Sequence, residues 1–305
     1  MAKKSGKKSG AGKPKTVMST TKPALAKLPN VWELTKTVCR TLWQNRKLFI
    51  GITLIYGLLN LVLVQGLAGG TDVNSLKHSL SQAFTGNLGS LGSALSVFVV
   101  LVGSSGNGSS QTAGAYQLSL GIMTSLAVIW ALRQVLASTP VRIRDAYYRG
   151  MYPLVPFILV LLVIGLQLLP LLVGSTLYNL VVANGIAVGL AERLGWLLLF
   201  ILAAAWSIYM ISSSLFALYI VTLPDMTPLK ALRSARDLVR GRRWIIIWKL
   251  ICLPVILLIV AAVIMVPIII GLTFLAQWVF FLLTMFALVA VHTYAYTLYR
   301  ELLNE

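Results

Sequence analysis

The sequence predicts an all-α integral membrane protein whose six transmembrane helices form three hairpins. The first observation is composition: 58% of the 305 residues are hydrophobic and 11% are charged, whereas about a quarter of a soluble chain is charged. The second is a set of six apolar stretches, each of roughly the 20 residues that a helix needs to cross ~30 Å of hydrocarbon. The third is that lysine and arginine gather on one side of these stretches.

The first thirty residues differ from the rest of the chain. Residues 1–30 contain eight lysines and no acidic residue, a composition that cannot bury a core. They are predicted to form a disordered, lysine-rich cytoplasmic tail, and residues 31–305 a single polytopic membrane domain. At the start of that domain, Val31, Leu34 and Val38 share one helical face, opposite a charged one. This pattern is typical of a helix that lies on the membrane surface.

The six predicted spans follow in order, and the last two are joined so closely that they must form a hairpin. Pro254 and Pro267 are expected to kink the fifth helix, which neighbouring helices in a membrane tolerate. One apolar segment, 94–102, is too short to cross a bilayer and lies in a loop rich in glycine and serine, so it is predicted to be re-entrant or packed on the surface. The spans are about 48–68, 116–136, 151–173, 195–222, 244–270 and 273–298.

The distribution of charge predicts the orientation of these spans. Six spans place 24 of the 26 lysines and arginines on one side, with only Lys77 and Arg193 on the other. The positive-inside rule therefore puts both termini in the cytoplasm. We expect a multi-pass protein of the bacterial cytoplasmic (inner) membrane.

The net charge of +18 suits two kinds of partner, nucleic acid or anionic lipid. The lysine-rich tail has no interleaved aromatic residues, and no folded module that reads bases is apparent, which argues against nucleic acid. Attraction to a bilayer with an anionic inner leaflet is the favoured explanation. The sequence identifies no protein partner, although it leaves one open.

A weak internal repeat accompanies the hairpins. Asn30, Thr139 and Thr227 are each predicted to cap a short basic helix, and Pro140 and Pro228 follow the latter two at first-turn positions. Each helix then runs through a basic turn into a span, and the turns read NRKLF, YRGMY and VRGRRW. Such copies are consistent with the internal repeats of membrane folds.

The third of these turns lies in the stretch ALRSARDLVRGRRWIIIWKL, residues 231–250, which passes from five arginines to an apolar run. Gly241 is predicted to end its helix. The apolar side of the helical wheel consists of Leu229, Leu232, Ala235, Leu238 and Val239. An arginine at the bilayer centre costs ~2.5–3.5 kcal/mol, whereas a basic group at an anionic surface gains ~1 kcal/mol. Contacts with lipid head groups or a partner are therefore predicted for Arg233, Arg236, Arg240, Arg242 and Arg243.

A family resemblance rests on this same region. The residues that carry it are Ala231, Leu232, Arg233, Ser234, Leu238, Gly241 and Trp244. They resemble the signature of the glycerophosphoryl diester phosphodiesterase membrane-domain family and of related uncharacterised six-span bacterial proteins. The motif covers roughly residues 224–250, and the hairpin topology is similar over the rest. Some family members carry a catalytic barrel, for which we expect no room in this chain, so the resemblance implies a membrane domain and does not extend to phosphodiesterase activity.

Acids, bases and nucleophiles are not gathered in one place, as an enzyme would require. The eight acidic residues lie outside the predicted spans, and no HExxH or GxSxG motif is present. Asp237 is interpreted as a helix partner of Arg233 and Arg240, and Asp225 beside Pro224 as a turn residue. The two cysteines have neither disulfide nor zinc spacing. We therefore expect no catalytic residue, no metal and no cofactor.

Polar residues within the spans leave a transport function open. His292 is the one ionisable residue predicted at membrane depth, where such residues often mark a pathway; the alternative is a hydrogen bond to a neighbouring helix. Ala203 and Ser207 have the spacing of close helix contacts. A candidate intramembrane polar cavity is predicted from Gln167, Ser212, Ser213, Ser214 and His292.

These observations favour a non-enzymatic membrane module that organises or partners proteins or lipids. The alternative is a transporter or flippase for a lipophilic or uncharged solute. A third class, an enzyme acting on lipid head groups, would need a base to accompany the arginines, and none is apparent.

Overall fold

The computed structural model describes residues 29–65, 111–183, 185–186, 189–271 and 273–303. Within these ranges every regular element is helical, and six helices are long and apolar enough to cross a membrane, which confirms the predicted all-α fold. Residues 1–28 of the predicted tail and the segment 94–102 lie outside the described residues. The six spans are Arg46–Val64, Ala113–Leu136, Leu154–Val182, Leu190–Ile220, Arg243–Ile268 and Leu275–Leu303.

Consecutive spans pack as three hairpins. The helices are α1 Val31–Gln44, α2 Arg46–Asn60, α3 Gln111–Leu136, α4 Ile143–Gly150, α5 Leu154–Tyr178, α6 Leu190–Ser214, α7 Ala217–Ile220, α8 Pro228–Val239, α9 Arg243–Gly271 and α10 Thr273–Leu303. The hairpins are α2 with α3, α5 with α6 and α9 with α10. Helix α10 also packs against α1, α2 and α3, and α9 packs against α6, so the last hairpin joins the other two.

The outer surface of the bundle is apolar over the length of the spans. Leu162 and Val263 are 57% and 69% exposed, and many other large apolar side chains are similarly uncovered. Soluble monomers rarely expose continuous apolar patches of this kind. The solvent around these helices is therefore hydrocarbon, and the chain is a multi-pass membrane protein.

A proline inside α5 is compensated by the neighbouring α6. The ring of Pro170 interrupts the backbone hydrogen bonds of its own helix, and the following Leu171 N–H donates instead to Ser207 Oγ at 3.1 Å. A Cβ added to Gly174 would lie 3.0 Å from Ala203 Cβ, so the two helices approach closely there. The predicted close contact through Ala203 and Ser207 is confirmed.

The short basic helices α1 and α8 begin where the sequence predicts. Glu33 accepts a hydrogen bond from the Asn30 N–H at 3.2 Å, and Thr227 Oγ1 accepts one from the Lys230 N–H at 3.4 Å. Gly241 has φ +88°, the left-handed conformation that ends a helix at little cost only for glycine. The predicted end of α8 at this glycine is confirmed.

The predicted N-cap at Thr139 is wrong, because α4 begins four residues later, at Ile143. The Thr139 N–H and hydroxyl both donate to the Gln134 carbonyl, at 3.1 and 2.9 Å. Thr139 therefore closes the end of α3 instead of opening α4. Ser138, with φ +57°, makes the intervening left-handed turn.

The predicted apolar side of α8 also needs one correction. Leu229 is 69% exposed, whereas Ala231, Ala235 and Val239 are fully buried. These three lie at i, i+4 and i+8 on one face, and α8 packs against α5, α6 and α7. Small side chains allow that close approach, and Leu229 in the first turn lies off the buried face.

The basic ends of the spans are held together by long-range hydrogen bonds. Arg133, near the end of α3, donates from Nη1 to the Thr222 carbonyl at 3.0 Å and from Nη2 to the hydroxyl of the same residue. Lys249, near the start of α9, donates from Nζ to the Pro29 carbonyl at 2.6 Å. These bonds join segments distant in sequence, so the short helices and the span ends form one ordered face, which we name the basic end.

Helix α4 is fixed to the two spans of the first hairpin. The Tyr147 hydroxyl donates to the Ile52 carbonyl at 3.2 Å, and burial raises the pKa of this hydroxyl, so it remains a donor. A Cβ added to Gly150 would lie 3.1 Å from Ala127 Cα, so the end of α4 lies directly against the backbone of α3. The turn that follows Gly150 lines a cavity.

Candidate functional site: cavities at the basic end

Each of the three basic turns found in the sequence lines a cavity. Residues 45–48, in the NRKLF turn, line one of about 660 Å³, and residues 148–150, 152 and 153, around the YRGMY turn, line one of about 730 Å³. Residues 240–244 of the VRGRRW turn, together with Ile245, line one of about 990 Å³. The three cavities coincide with the N-termini of α2, α5 and α9. The free N–H groups and the positive dipole end of a helix both favour an anion there.

The largest of these, which we name the arginine cavity, contains all five arginines that the sequence singles out. Its lining residues are Tyr209, Arg233, Arg236, Asp237, Arg240, Gly241, Arg242, Arg243, Trp244, Ile245 and Ile247. Three secondary-structure elements contribute: α8, the start of α9 and the later part of α6. The structure therefore assembles the predicted contact residues into one site.

Helical spacing positions the first three arginines of this cavity. Arg233 and Arg236 lie at i and i+3 of α8, on the exposed face opposite its buried alanines, and Arg240 is the residue that directly follows the helix. Gly241 then reverses the chain, so that the following two arginines face the same space. Of these, Arg243 covers the ring of Tyr209 with 4.6 Å between the guanidinium carbon and the ring centroid, a cation–π contact that orients it.

The electrostatics of the arginine cavity are strongly positive. Asp237 is the single acidic residue among its lining residues, against five arginines. Each guanidinium presents a planar fork of donors that matches the oxygens of a phosphate. Ile245, 52% exposed, and Trp244, 82% exposed, adjoin the arginines. The site thus offers a charged pocket beside an apolar surface, the arrangement that an amphiphile with a phosphate head requires.

A second cavity at the basic end has a different chemistry, and we name it the aromatic cavity. Its lining residues are Leu126, Trp130, Arg133, Tyr148, Arg149, Gly150, Tyr152, Pro153, Pro156, Val221, Thr222, Leu223, Pro224, Asp225 and Met226. It lies between the end of α3, the turn from α4 to α5 and the segment that follows α7. Two arginines, one aspartate and three large aromatic side chains are its chemically distinctive members.

His292 is held within the bundle by two hydrogen bonds. Its Nε2 lies 2.8 Å from Ser125 Oγ, and its Nδ1 lies 3.2 Å from the Tyr219 hydroxyl. Ser125 Oγ also lies 2.7 Å from the Gly121 carbonyl oxygen, which can only accept. A consistent arrangement has Ser125 donating to Gly121, His292 donating from Nε2, and Tyr219 donating to Nδ1. His292 therefore links three helices in this structure.

The three serines at the end of α6 bond within their own helix. Ser212 Oγ donates to the Tyr209 carbonyl at 2.8 Å. Ser213 and Ser214 Oγ donate to the Met210 carbonyl at 2.9 and 3.4 Å. Their hydroxyls thus return to the backbone one turn earlier.

Gln167 completes the predicted polar set. Its Oε1 is buried and has no hydrogen-bond partner within the described part of the chain. Neither Gln167 nor the serines nor His292 lines any of the three cavities described above. The intramembrane polar cavity stays a prediction.

Two residues that line these cavities, Tyr209 and Asp225, are not identified as site residues from the sequence. Tyr209 lies in a span, and nothing local in the sequence connects it to an arginine 34 positions later. Asp225 is interpreted from sequence only as a turn residue. The signal for the aromatic cavity is the repeat itself, because the YRGMY turn occupies the position in its hairpin that VRGRRW occupies in the next.

Comparison with family models, curated proteins and solved structures finds no match for this chain. The resemblance to the phosphodiesterase membrane-domain family therefore stays a prediction. Function is inferred from the chemistry of the cavities.

Proposed function

We propose that this chain is a non-enzymatic membrane module that binds anionic phospholipid head groups through the arginine cavity. The observation that carries the proposal is the convergence of five arginines from α8 and α9 on one space of about 990 Å³. That volume is within the ~300–1,000 Å³ typical of small-molecule sites. With one carboxylate among them, the guanidinium groups repel one another, and a bound phosphate relieves that repulsion.

The apolar neighbours of the cavity support a lipid over a free phosphate. Trp244, Trp248 and Ile251 on the first three turns of α9 are 82%, 67% and 43% exposed. A phosphate seated among the arginines would place its acyl chains along this face of α9. The aromatic side chains suit the head-group level of a bilayer.

The proposal includes an orientation and a location. With the basic end at the inner leaflet of a bacterial plasma membrane, the arginines meet anionic lipid, and each gains ~1 kcal/mol. Both termini are then cytoplasmic. The opposite orientation would place the same charges against the rule that governs insertion.

Binding, as opposed to catalysis, suits the single acid of the site. Asp237 follows Arg233 by four residues, so the two are neighbours on the surface of α8, and Arg240 follows three residues later, just beyond the helix. We interpret Asp237 as the ion-pair partner of these arginines. The site supplies anion-binding groups without a general base to act with them.

The test is a titration of the full-length protein, purified in uncharged detergent, with short-chain phosphatidylglycerol, followed by calorimetry. The variant Arg233→Gln/Arg236→Gln/Arg240→Gln removes three contacts of ~1 kcal/mol each, so affinity should fall by about a hundredfold. The matched control is Lys36→Gln/Arg40→Gln/Arg144→Gln, which removes the same charge from exposed positions on α1 and α4. Equal losses in the two variants, or no binding by the unmodified protein, would refute the proposal.

A further inference from the structure

The aromatic cavity has a charge balance that the arginine cavity lacks. Arg133 and Arg149 are its two cationic lining residues, and Asp225 is its one acid. The guanidinium of Arg133 is already hydrogen-bonded within the protein, because its Nη1 and Nη2 both donate to Thr222. The exposed guanidinium of Arg149 and the carboxylate of Asp225 therefore remain as the charged groups that line this cavity of about 730 Å³.

The carboxylate of Asp225 is placed by an unusual backbone conformation. Asp225 has φ +57°, in the left-handed region that few residues other than glycine, asparagine and aspartate adopt. This conformation turns the chain after Pro224 and towards α8. The turn requires only that backbone geometry, which asparagine would supply equally, and the exposed carboxylate lies at the wall of the cavity.

Three aromatic side chains complete the wall. Trp130 on α3 is half-buried, whereas Tyr148, in the last turn of α4, and Tyr152, in the α4–α5 turn, are 84% and 95% exposed. The faces of aromatic rings attract organic cations, and rings combined with a carboxylate recognise alkylammonium groups. Exposed tyrosines at a membrane surface also anchor a protein to the head-group layer, but anchoring does not require a carboxylate among them.

Taken together, these groups match a ligand that carries a phosphate and an ammonium a few bonds apart. We propose that the aromatic cavity binds such a phospho-ammonium group, with Arg149 on the phosphate and with Asp225, Tyr148, Tyr152 and Trp130 around the ammonium. Phosphoethanolamine and phosphocholine belong to this class, as lipid head groups or as free compounds. The inference extends the proposed function. It rests on that proposal in one respect, that the basic end lies at a membrane surface.

The experiment titrates the full-length protein in uncharged detergent with short-chain phosphatidylethanolamine and, in a second arm, with water-soluble phosphoethanolamine. Asp225→Asn keeps the left-handed turn and removes the charge, so phosphatidylethanolamine affinity should fall by about tenfold. Tyr152→Leu, at a position 95% exposed in the folded protein, should reduce it about two- to fivefold. Asp145→Asn is the matched control, because Asp145 lies in the first turn of α4 and does not line this cavity.

The two arms identify the source of the ligand. Tighter binding of the lipid than of free phosphoethanolamine assigns a lipid head group, and equal binding assigns a soluble compound with the same chemistry. Unchanged binding in both Asp225→Asn and Tyr152→Leu would overturn the inference, as would an equal loss in Asp145→Asn.

Failure of this inference is distinguishable from failure of the proposed function. Phosphatidylglycerol binding by the same samples reports on the arginine cavity. It should be unchanged by Asp225→Asn and should fall in the triple arginine variant. A protein that binds phosphatidylglycerol but shows no dependence on Asp225 for phosphatidylethanolamine retains the first proposal and loses the second.

Discussion

The arginine cavity and the aromatic cavity occupy equivalent places in two consecutive hairpins, yet their lining residues differ in charge and in aromatic content. Both lie where a short basic helix turns into a span, at the N-termini of α9 and α5. The first has five arginines and one aspartate, whereas the second has two arginines, one aspartate and three large aromatic side chains. The comparison shows that two similar helix–turn–helix units carry different charge patterns, and we propose that these patterns select different head groups.

The largest expected difference between the two cavities is in their response to salt. The field of five arginines is screened as the Debye length falls from ~30 Å at 0.01 M to ~3 Å at 1 M ionic strength. Across that range we expect phosphatidylglycerol binding to weaken on the order of a hundredfold. Phosphatidylethanolamine binding should weaken by only about threefold, because the opposite charges of its head group are each paired with a nearby charge in the aromatic cavity. Calorimetric titration at a series of KCl concentrations measures both. Parallel salt slopes for the two lipids would show that the cavities do not differ.

Disturbing the helix packing beside the aromatic cavity should weaken lipid binding there and leave the arginine cavity unaffected. The expected effect is smaller than that of salt. Gly150→Ala introduces a Cβ 3.1 Å from the backbone of Ala127, and such overpacking costs ~1–3 kcal/mol. We expect a lower melting temperature and about tenfold weaker phosphatidylethanolamine binding, with phosphatidylglycerol binding unchanged.

The control for this variant is Gly165→Ala in α5. A Cβ at Gly165 meets nothing within 4 Å, so that variant should match or slightly exceed the stability of the unmodified protein. If Gly150→Ala behaves like Gly165→Ala, the close contact between α4 and α3 does not position the aromatic cavity.

The smallest effect concerns a contact inside the arginine cavity. Tyr209→Leu removes the ring that Arg243 covers at 4.6 Å, a cation–π contact of ~0.5–1 kcal/mol at an exposed site. Phosphatidylglycerol affinity should fall about two- to fivefold, since Arg243 loses its fixed orientation. Tyr178→Leu provides the comparison, because Tyr178 does not line the cavity and instead packs against Phe200, with 5.8 Å between the ring centroids. Identical affinities in the two variants would remove Tyr209 from the site.

The spans are predictable from sequence because hydrocarbon imposes a minimum apolar length, but their ends depend on packing. The third span is predicted to stop at residue 173, yet it continues to Val182. The sequence there turns to glycine, serine and threonine, which lowers hydropathy. Gly174 nevertheless packs against Ala203 of α6, and the threonine and serine hydroxyls return to the backbone, so the helix is maintained.

The sequence predicts that the arginines lie together at the membrane surface. It does not predict the cavities, because these depend on how helices distant in sequence pack together. A helical wheel places Arg233, Arg236 and Arg240 on one face of α8, and the cost of burial keeps them at the membrane boundary. It does not show that Tyr209 from another span forms the opposite wall. Similarly, Asp225 is recognisable as a turn residue, but its position beside the α4–α5 turn depends on how the hairpins pack.

The central claim is that a lipid phosphate occupies the arginine cavity, and an electron cryomicroscopy structure in phosphatidylglycerol nanodiscs tests it directly. We expect head-group density between α8 and the start of α9, with its phosphate within hydrogen-bond distance of Arg236, Arg240 or Arg243, and no such density in the triple arginine variant. A cavity without head-group density in the unmodified protein, with its arginines directed to bulk water, would contradict the account.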